Sequence, residues 1–134
     1  MSWNTDVIEE FRANEGRVGG SFEGASMLLL RSKGARTGLE RVNPLVYLPD
    51  GDRFVVFATK GGSPTHPDWY HNLVAHPDVE IEVGNETIAV RATEIQDDTE
   101  REALYARQVE RWPSFAGYPA KSGRRIPVIA LDRR

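Results

Sequence analysis

A chain of 134 residues with 40% hydrophobic and 28% charged side chains has the balance of an ordinary globular protein, long enough to bury a core without disulfides or a structural metal. Its 17 Lys and Arg against 20 Asp and Glu give a net charge of −3, which excludes a broad nucleic-acid surface. The absence of Cys removes disulfides, thiolate nucleophiles, zinc–cysteine sites and iron–sulfur ligation, and no run approaches the ~20 apolar residues of a membrane helix.

The N-terminal MSWNTDVIEEF is acidic and has no apolar h-region, so it does not read as a signal peptide, and a cysteine-free chain suits the cytoplasm. Thr5 to Asn14 is expected to form a short helix capped by Thr5, with Val7, Ile8 and Phe11 on one stripe. Gly16 ends it, and Gly19, Gly20 and Gly24 make residues 1–25 a helix followed by a flexible segment. Met27 to Arg31 (MLLLR) is a short continuous apolar run, hence a buried strand. A turn from Lys33 to Gly38 leads to a second strand over Arg41 to Leu48, in which Pro44 demands an edge or a bulge. Pro49 to Asp52 is a hairpin turn, and Arg53 to Thr59 a third strand.

After the loop Lys60 to Thr65, Pro67 is placed to open a helix running through Ala75. Val79 to Val83 (VEIEV) alternates strictly, turns at Gly84-Asn85 and returns through Ile88, Val90 and Ala92. Asp98 to Trp112 is the strongest helix, with Leu104, Tyr105 and Val109 on one side and Pro113 to stop it. Ile126 to Leu131 is the last strand. About six mostly antiparallel strands with three helices point to an α+β fold, a single domain over residues 1–134 built on an antiparallel sheet or small barrel.

The charge is uneven. Arg31, Lys33, Arg36 and Arg41 face only Glu40 in their stretch, a local +3, whereas the nine acids from Asp78 to Glu102 face only Arg91 and Arg101. A compact basic spot on an acidic protein suits a small anionic ligand, although uneven surface charge without a ligand fits equally well. His66, His71 and His76 are five apart, which on a helix turns each about 140° from the last, so no histidine metal site is expected. With no nucleophile, metal or nucleotide-loop signature, redox chemistry would have to come from a bound cofactor.

Three segments bear on such a cofactor. The turn Ser32 to Gly38 offers glycines for close backbone approach and Arg36 to fork onto phosphate oxygens, although a solvated hairpin is the plainer reading of the turn alone. Thr59-Lys60-Gly61-Gly62 leaves a strand and leads to a helix opening with Trp69 and Tyr70, an anion-site layout whose aromatics are as readily core. Trp112 to Tyr118 brackets aromatics with Pro and Gly, as either a pocket lid or a staple onto the core.

The strings RSKGARTGLERVNPLVYL, RFVVFATKGG and HPDWYHNLVAHPDVEIEV together resemble the deazaflavin-dependent nitroreductase family, also described as coenzyme F420-dependent quinone reductases. The likeness runs from about Gly16 to Val128. It implies a split β-barrel and a reduced deazaflavin that donates hydride to a small electrophile, namely a quinone, an activated enone or a nitroaromatic. It also implies cofactor contacts from Ala35, Arg36 and Thr37 around the phosphate, from Arg41, Val42, Asn43, Pro44, Leu45 and Val46 along the deazaflavin edge, from Phe57, Ala58, Thr59 and Lys60, and from Asp68, Trp69, Tyr70, His71 and Asn72. Lys33 joins them on charge and position alone. The family's phosphate and poly-glutamate tail make sense of the basic spot.

Thr59 stands where a serine is frequent in the family, and it keeps a hydroxyl. Phe115 replaces a tyrosine of some members and cannot donate a proton, which bears on nitro reduction more than on quinone or enone reduction. Tyr118 matches a second tyrosine. Thr59 and Tyr118 are therefore the expected oxyanion-stabilising hydroxyls, with Trp112, Phe115 and Tyr118 on the substrate side. The chain also lacks the apolar-basic N-terminal extension of membrane-associated members. An FMN-binding split-barrel reductase and a non-catalytic F420 carrier are the alternatives, since the residues alone do not separate FMN from F420. A homodimer is an arrangement the resemblance allows.

Overall fold

The computed structural model describes residues 3–16, 26–60 and 64–134. The expected loop segments at residues 17–25 and 61–63 lie outside them. Seven strands form one antiparallel sheet: β1 (Met27–Lys33), β2 (Glu40–Val46), β3 (Leu48–Asp50), β4 (Arg53–Phe57), β5 (Asp78–Val83), β6 (Glu86–Glu94) and β7 (Val128–Arg133). Their order is β2-β1-β5-β6-β7-β4-β3. The helices are α1 (Trp3–Ala13), α2 (Asp68–Ala75), α3 (Asp98–Arg111) and α4 (Tyr118–Ser122), with a 3₁₀ turn over Pro113–Gly117.

The order of strands dictates the curvature. β2 and β3 lie at opposite ends of the sheet, yet Tyr47 alone separates them in sequence. Val46 and Leu48 are two Cα steps apart, at most about 7 Å, so the sheet must curl until its two ends meet there, which makes it a split β-barrel. Tyr47 N–H donates to the Ser26 carbonyl at 2.9 Å at this corner. The segment expected as one strand, Arg41 to Leu48, thus becomes β2 and the start of β3, giving seven strands rather than six. Pro44 sits on β2, an end strand of the sheet, as the missing N–H requires.

Alternation along the strands sorts the core into an inside and an outside. Leu28, Leu30, Val56, Val79, Ile81, Val90, Ile129 and Leu131 fill the barrel, closed by Trp69 and Leu73 of α2. Val7 and Phe11 of α1 cover the outer positions Met27 and Leu29 of β1. Leu104 of α3 covers the outer Val55, Phe57, Val128 and Ala130 of β4 and β7. The continuous apolar runs of β1, β4 and β7 therefore mark strands with a helix on the outer face. The alternating VEIEV of β5 marks one whose outer Glu80 is exposed.

Several ends shift from expectation. α1 begins at Trp3, so Thr5 lies inside its first turn rather than capping it. Gly16 ends the segment at φ +92, and a Cβ there would stand 2.8 Å from the Gly84 Cα, so both its conformation and its packing require glycine. Pro67 is the N-cap of α2 rather than its first residue. The α3 cap is Asp97, whose side chain accepts from Glu100 N–H at 2.8 Å. On α3 the fully buried pair is Leu104 and Gln108, one turn apart, while Val109 is only partly covered. β4 stops at Phe57 because Thr59 N–H turns back to the Phe57 carbonyl at 2.9 Å.

Candidate functional site

A groove of about 1100 Å³ lies where α1, the β1–β2 turn, β2 and α2 meet. Its walls are Thr5 and Ile8 of α1, Gly34 to Thr37 of the turn, Glu40 to Asn43 of β2, and Asp68, His71 and Asn72 of α2. α1 is held in place by its apolar stripe and by Arg12, whose Nη2 donates to Glu82 Oε2 at 2.7 Å. β2 ends the sheet, so its outer row of backbone N–H and C=O groups has no strand partner.

The turn is built rather than loose. Gly34 N–H donates to Leu39 O at 2.8 Å and Gly38 N–H to Gly34 O at 2.9 Å. Thr37 Oγ1 accepts from Leu39 N–H at 3.2 Å. A Cβ on Gly34 would come within 2.8 Å of that hydroxyl, so a side chain here would have to displace it. Ala35 N–H donates to Asn72 Oδ1 at 2.9 Å, pinning the turn to α2 through a buried amide.

The cations of the basic stretch divide into two kinds. Arg31 is spent on neighbouring strands, 3.1 Å from Glu40 and 3.6 Å from Glu80. Arg36 and Arg41 are exposed, line the groove and carry no ion pair among the described residues. Glu40 and Asp68 also line it, but Glu40 is engaged by Arg31. The groove thus offers two uncommitted guanidinium groups, an edge strand's polar backbone and an apolar wall from Ile8 and Val42. That set suits an elongated ligand with a planar polar body and an anionic tail.

Nine of the expected cofactor contacts converge on this groove: Ala35, Arg36, Thr37, Arg41, Val42, Asn43, Asp68, His71 and Asn72. Thr5, Ile8, Gly34 and Glu40 also line it and were missed; no local pattern in α1 signals that its outer turn walls a ligand groove. The other expected contacts lie elsewhere. Lys33 is exposed at the end of β1. Pro44 is buried, Leu45 packs on the barrel core and Val46 on α1. Ala58 and Trp69 belong to the core, and Phe57 points to the α3 side. Tyr70 donates to Glu94 Oε1 at 2.5 Å, and burial with this bond pushes its phenol up to about 12.

Thr59 is buried at the end of β4, and exposed Lys60 donates from Nζ to Thr65 Oγ1 at 3.3 Å. Phe115 sits in an aromatic cluster, 6.1 Å from Phe57, 6.4 Å from Tyr105 and 5.1 Å from Tyr118 between ring centroids. Tyr105 hydroxyl donates to the Phe115 carbonyl at 2.6 Å, so the aromatics do staple this segment to α3. Trp112, Phe115 and Tyr118 do not line the main groove. His66 and His71, expected to point apart, have ring centroids 5.9 Å apart, because the chain at His66 is not yet helical.

Comparison with known proteins places these features. Residues 3–133 match the family described as F420H(2)-dependent quinone reductase. An F420H(2)-dependent quinone reductase of Mycobacterium tuberculosis is 40% identical over 127 residues, covering 92% of this chain and 85% of that protein. A solved F420-H2 dependent reductase superposes with a TM-score of 0.72 at 33% identity, covering 80% of this chain and 94% of its own. A solved domain-swapped dimer superposes with a TM-score of 0.74 at 32% identity, covering 96% of this chain and 93% of its own.

Proposed function

The chain belongs to the F420H(2)-dependent quinone reductase family, and from that premise we propose that the groove between α1, the β1–β2 turn, β2 and α2 is where it holds reduced coenzyme F420. The protein is an oxidoreductase that reduces quinones with F420H2. The observation that carries the assignment of the groove is the pair Arg36 and Arg41, two guanidinium groups lining one groove with no ion pair among the described residues.

The residues fit the group in size and in chemistry. About 1100 Å³ is at the upper end of small-molecule sites, as a deazaflavin with a phosphate and an acidic tail requires. Arg36 and Arg41 would hold the phosphate, and Thr37 would add a hydroxyl beside it. Val42 and Asn43 of the edge strand would line the planar ring. His71 and Asn72 would form the opposite wall, with Asn72 fixing the turn through Ala35 N–H. When bound, F420H2 would supply a hydride, and one proton taken up from solvent would complete the hydroquinone.

The protein's own part is then orientation and the exclusion of unproductive poses. Thr59, Trp112, Phe115 and Tyr118 lie outside the groove lining, so their proposed part, Thr59 and Tyr118 at the developing oxyanion and Trp112 with Phe115 on the substrate side, requires the substrate end of the site to extend past the groove toward β4 and α4. Activated enones and nitroaromatics are proposed as further acceptors, with nitro compounds the poorer ones because Phe115 has no proton to give. No helix among the described residues is long and apolar enough to cross a membrane. A cysteine-free composition supports a cytoplasmic setting, and the domain-swapped relative supports pairing of this chain as a homodimer.

Titration of the purified protein with F420 and, separately, with FMN tests the reading, followed by turnover of F420H2 with menadione. F420 is expected to bind and menadione to be reduced, and Arg36→Ala is expected to weaken F420 binding about tenfold. Tight FMN binding without response to F420, or unchanged F420 affinity in Arg36→Ala, overturns it.

A further inference from the structure

Arg124 lies between α4 and β7, outside every segment so far connected with the cofactor, yet its guanidinium reaches three acceptors on another part of the chain. Its Nη2 donates to the Ala58 carbonyl at 3.0 Å and to the Thr59 carbonyl at 2.9 Å. Its Nη1 is 2.8 Å from His66 Nδ1. An arginine only donates, so His66 Nδ1 is the acceptor and the imidazole is neutral, with its proton on Nε2. The three acceptors flank residues 60–65: two carbonyls at the end of β4 and one imidazole just before α2.

Two further observations make this contact more than packing. Lys60, the next residue after the two carbonyls, has φ +47, a left-handed conformation that non-glycine residues hold only where their surroundings enforce it. Beyond His66, α2 carries Asp68, His71 and Asn72 into the groove, and Asn72 fixes the turn bearing Arg36. Two contacts, Arg124 to His66 and Asn72 to Ala35, joined through Pro67 and α2, therefore link Arg124 to the turn bearing Arg36.

We infer that Arg124 is a positioning residue, clamping the end of β4 to the start of α2 so that α2 and the β1–β2 turn keep the spacing that F420 requires. This rests on the groove being the F420 site. Arg124 touches the ends of the connecting segment, and it acts through His66, α2 and Asn72. A lysine could reach one acceptor but could not fork across three, so the geometry selects arginine.

The test compares Arg124→Ala, Arg124→Lys, His66→Gln and His66→Leu with the natural protein, with Arg36→Ala as the reference for the groove. F420 affinity is measured by fluorescence titration without quinone, well below each variant's unfolding temperature, together with amide hydrogen exchange. Arg124→Ala is expected to weaken F420 binding about tenfold and Arg124→Lys by about half as much on a logarithmic scale. Exchange is expected to quicken at residues 58–60 and 66–72. His66→Gln, which keeps an acceptor, is expected to bind almost as the natural protein does, and His66→Leu about threefold more weakly.

The His66 side chain is faced by Arg124, by Tyr70 and His71 of α2, and by Glu94 of β6. Burial first, then Arg124 and His71, hold it below the ordinary histidine range. Protonation removes the acceptor, so F420 affinity is expected to fall at pH below that range in the natural protein and less steeply in His66→Gln. Normal affinity in Arg124→Ala alongside weakened binding in Arg36→Ala overturns the clamp and leaves the groove standing. Weakened binding in Arg124→Ala with none in Arg36→Ala, or no effect in either, overturns the groove reading and the clamp with it. If Arg124→Ala does not fold, equal affinities of His66→Gln and His66→Leu overturn the clamp.

Discussion

Two arginine-bearing regions of the same barrel differ in what their charges are for. Around α3, Asp50 accepts from Arg53 at 2.7 Å and from Arg107 at 2.8 Å, and Asp98 stands 2.6 Å from Arg125. These arginines are answered by carboxylates and tie α3 and its neighbours to the sheet. Beside β2, Arg36 and Arg41 line a groove with no ion pair among the described residues. Exposed guanidinium groups without a counter-charge contribute little to folding, so the difference separates arginines committed to the structure from arginines with no ion pair among the described residues, the pair proposed above to meet an anion.

Substitutions on each side should break the comparison in opposite ways. The largest effect expected is on stability: Leu104→Ala empties part of the cluster between α3 and the sheet and should cost about 3 kcal/mol in urea unfolding. The F420 affinity of the folded fraction should stay as it was. A parallel loss of affinity would show that the two regions are coupled. Next comes Arg41→Ala, which should weaken F420 binding about tenfold at low ionic strength, with the loss shrinking in high salt and the unfolding midpoint nearly unchanged. If the midpoint falls instead, Arg41 belongs to the structural kind.

The smallest effect is expected from Arg107→Ala. The exposed pair with Asp50 should contribute about 0.5 kcal/mol once solvent screening is allowed for. The sign of its pH dependence follows from Asp50, whose carboxyl is held below the usual carboxylate range by hydrogen bonds from Arg107 and then Arg53. A depressed carboxyl contributes stability that is present above about pH 4 and lost as pH falls through its folded value. The stability gap between the natural protein and Arg107→Ala should therefore be open at neutral pH and close in acid. A gap that widens in acid would mean that Arg107 acts through something other than Asp50.

Much of the fold is legible in local patterns, because burial leaves its period in the chain. MLLL and FVVF read as strands covered on both faces, and VEIEV as a strand covered on one. Pro44 announces an edge or a bulge, and the strand order makes it an edge. The groove is legible where its contacts cluster, at residues 35–37 and 41–43 and at Asp68, His71 and Asn72, since each set lies on one turn, one strand or one helix. It is illegible where the wall comes from α1, whose Thr5 and Ile8 show only an ordinary amphipathic helix. Arg124 is equally silent: in KSGRR nothing local distinguishes an arginine that will bind carbonyls some 65 residues away.

The amino-acid sequence by itself determined the antiparallel α+β class, the restriction of Pro44 to an edge or a bulge, the basic turn and the family whose chemistry this chain performs. Only the tertiary structure decided that Tyr47 joins the two ends of a curled sheet, that Arg31 is neutralised while Arg36 and Arg41 are not, and that Phe57 and Trp69 face packing clusters rather than the groove. The reason is physical. Side-chain period reports whether a face is buried, but which partner buries it, and which charge meets a counter-charge, depends on contacts between segments distant in the chain.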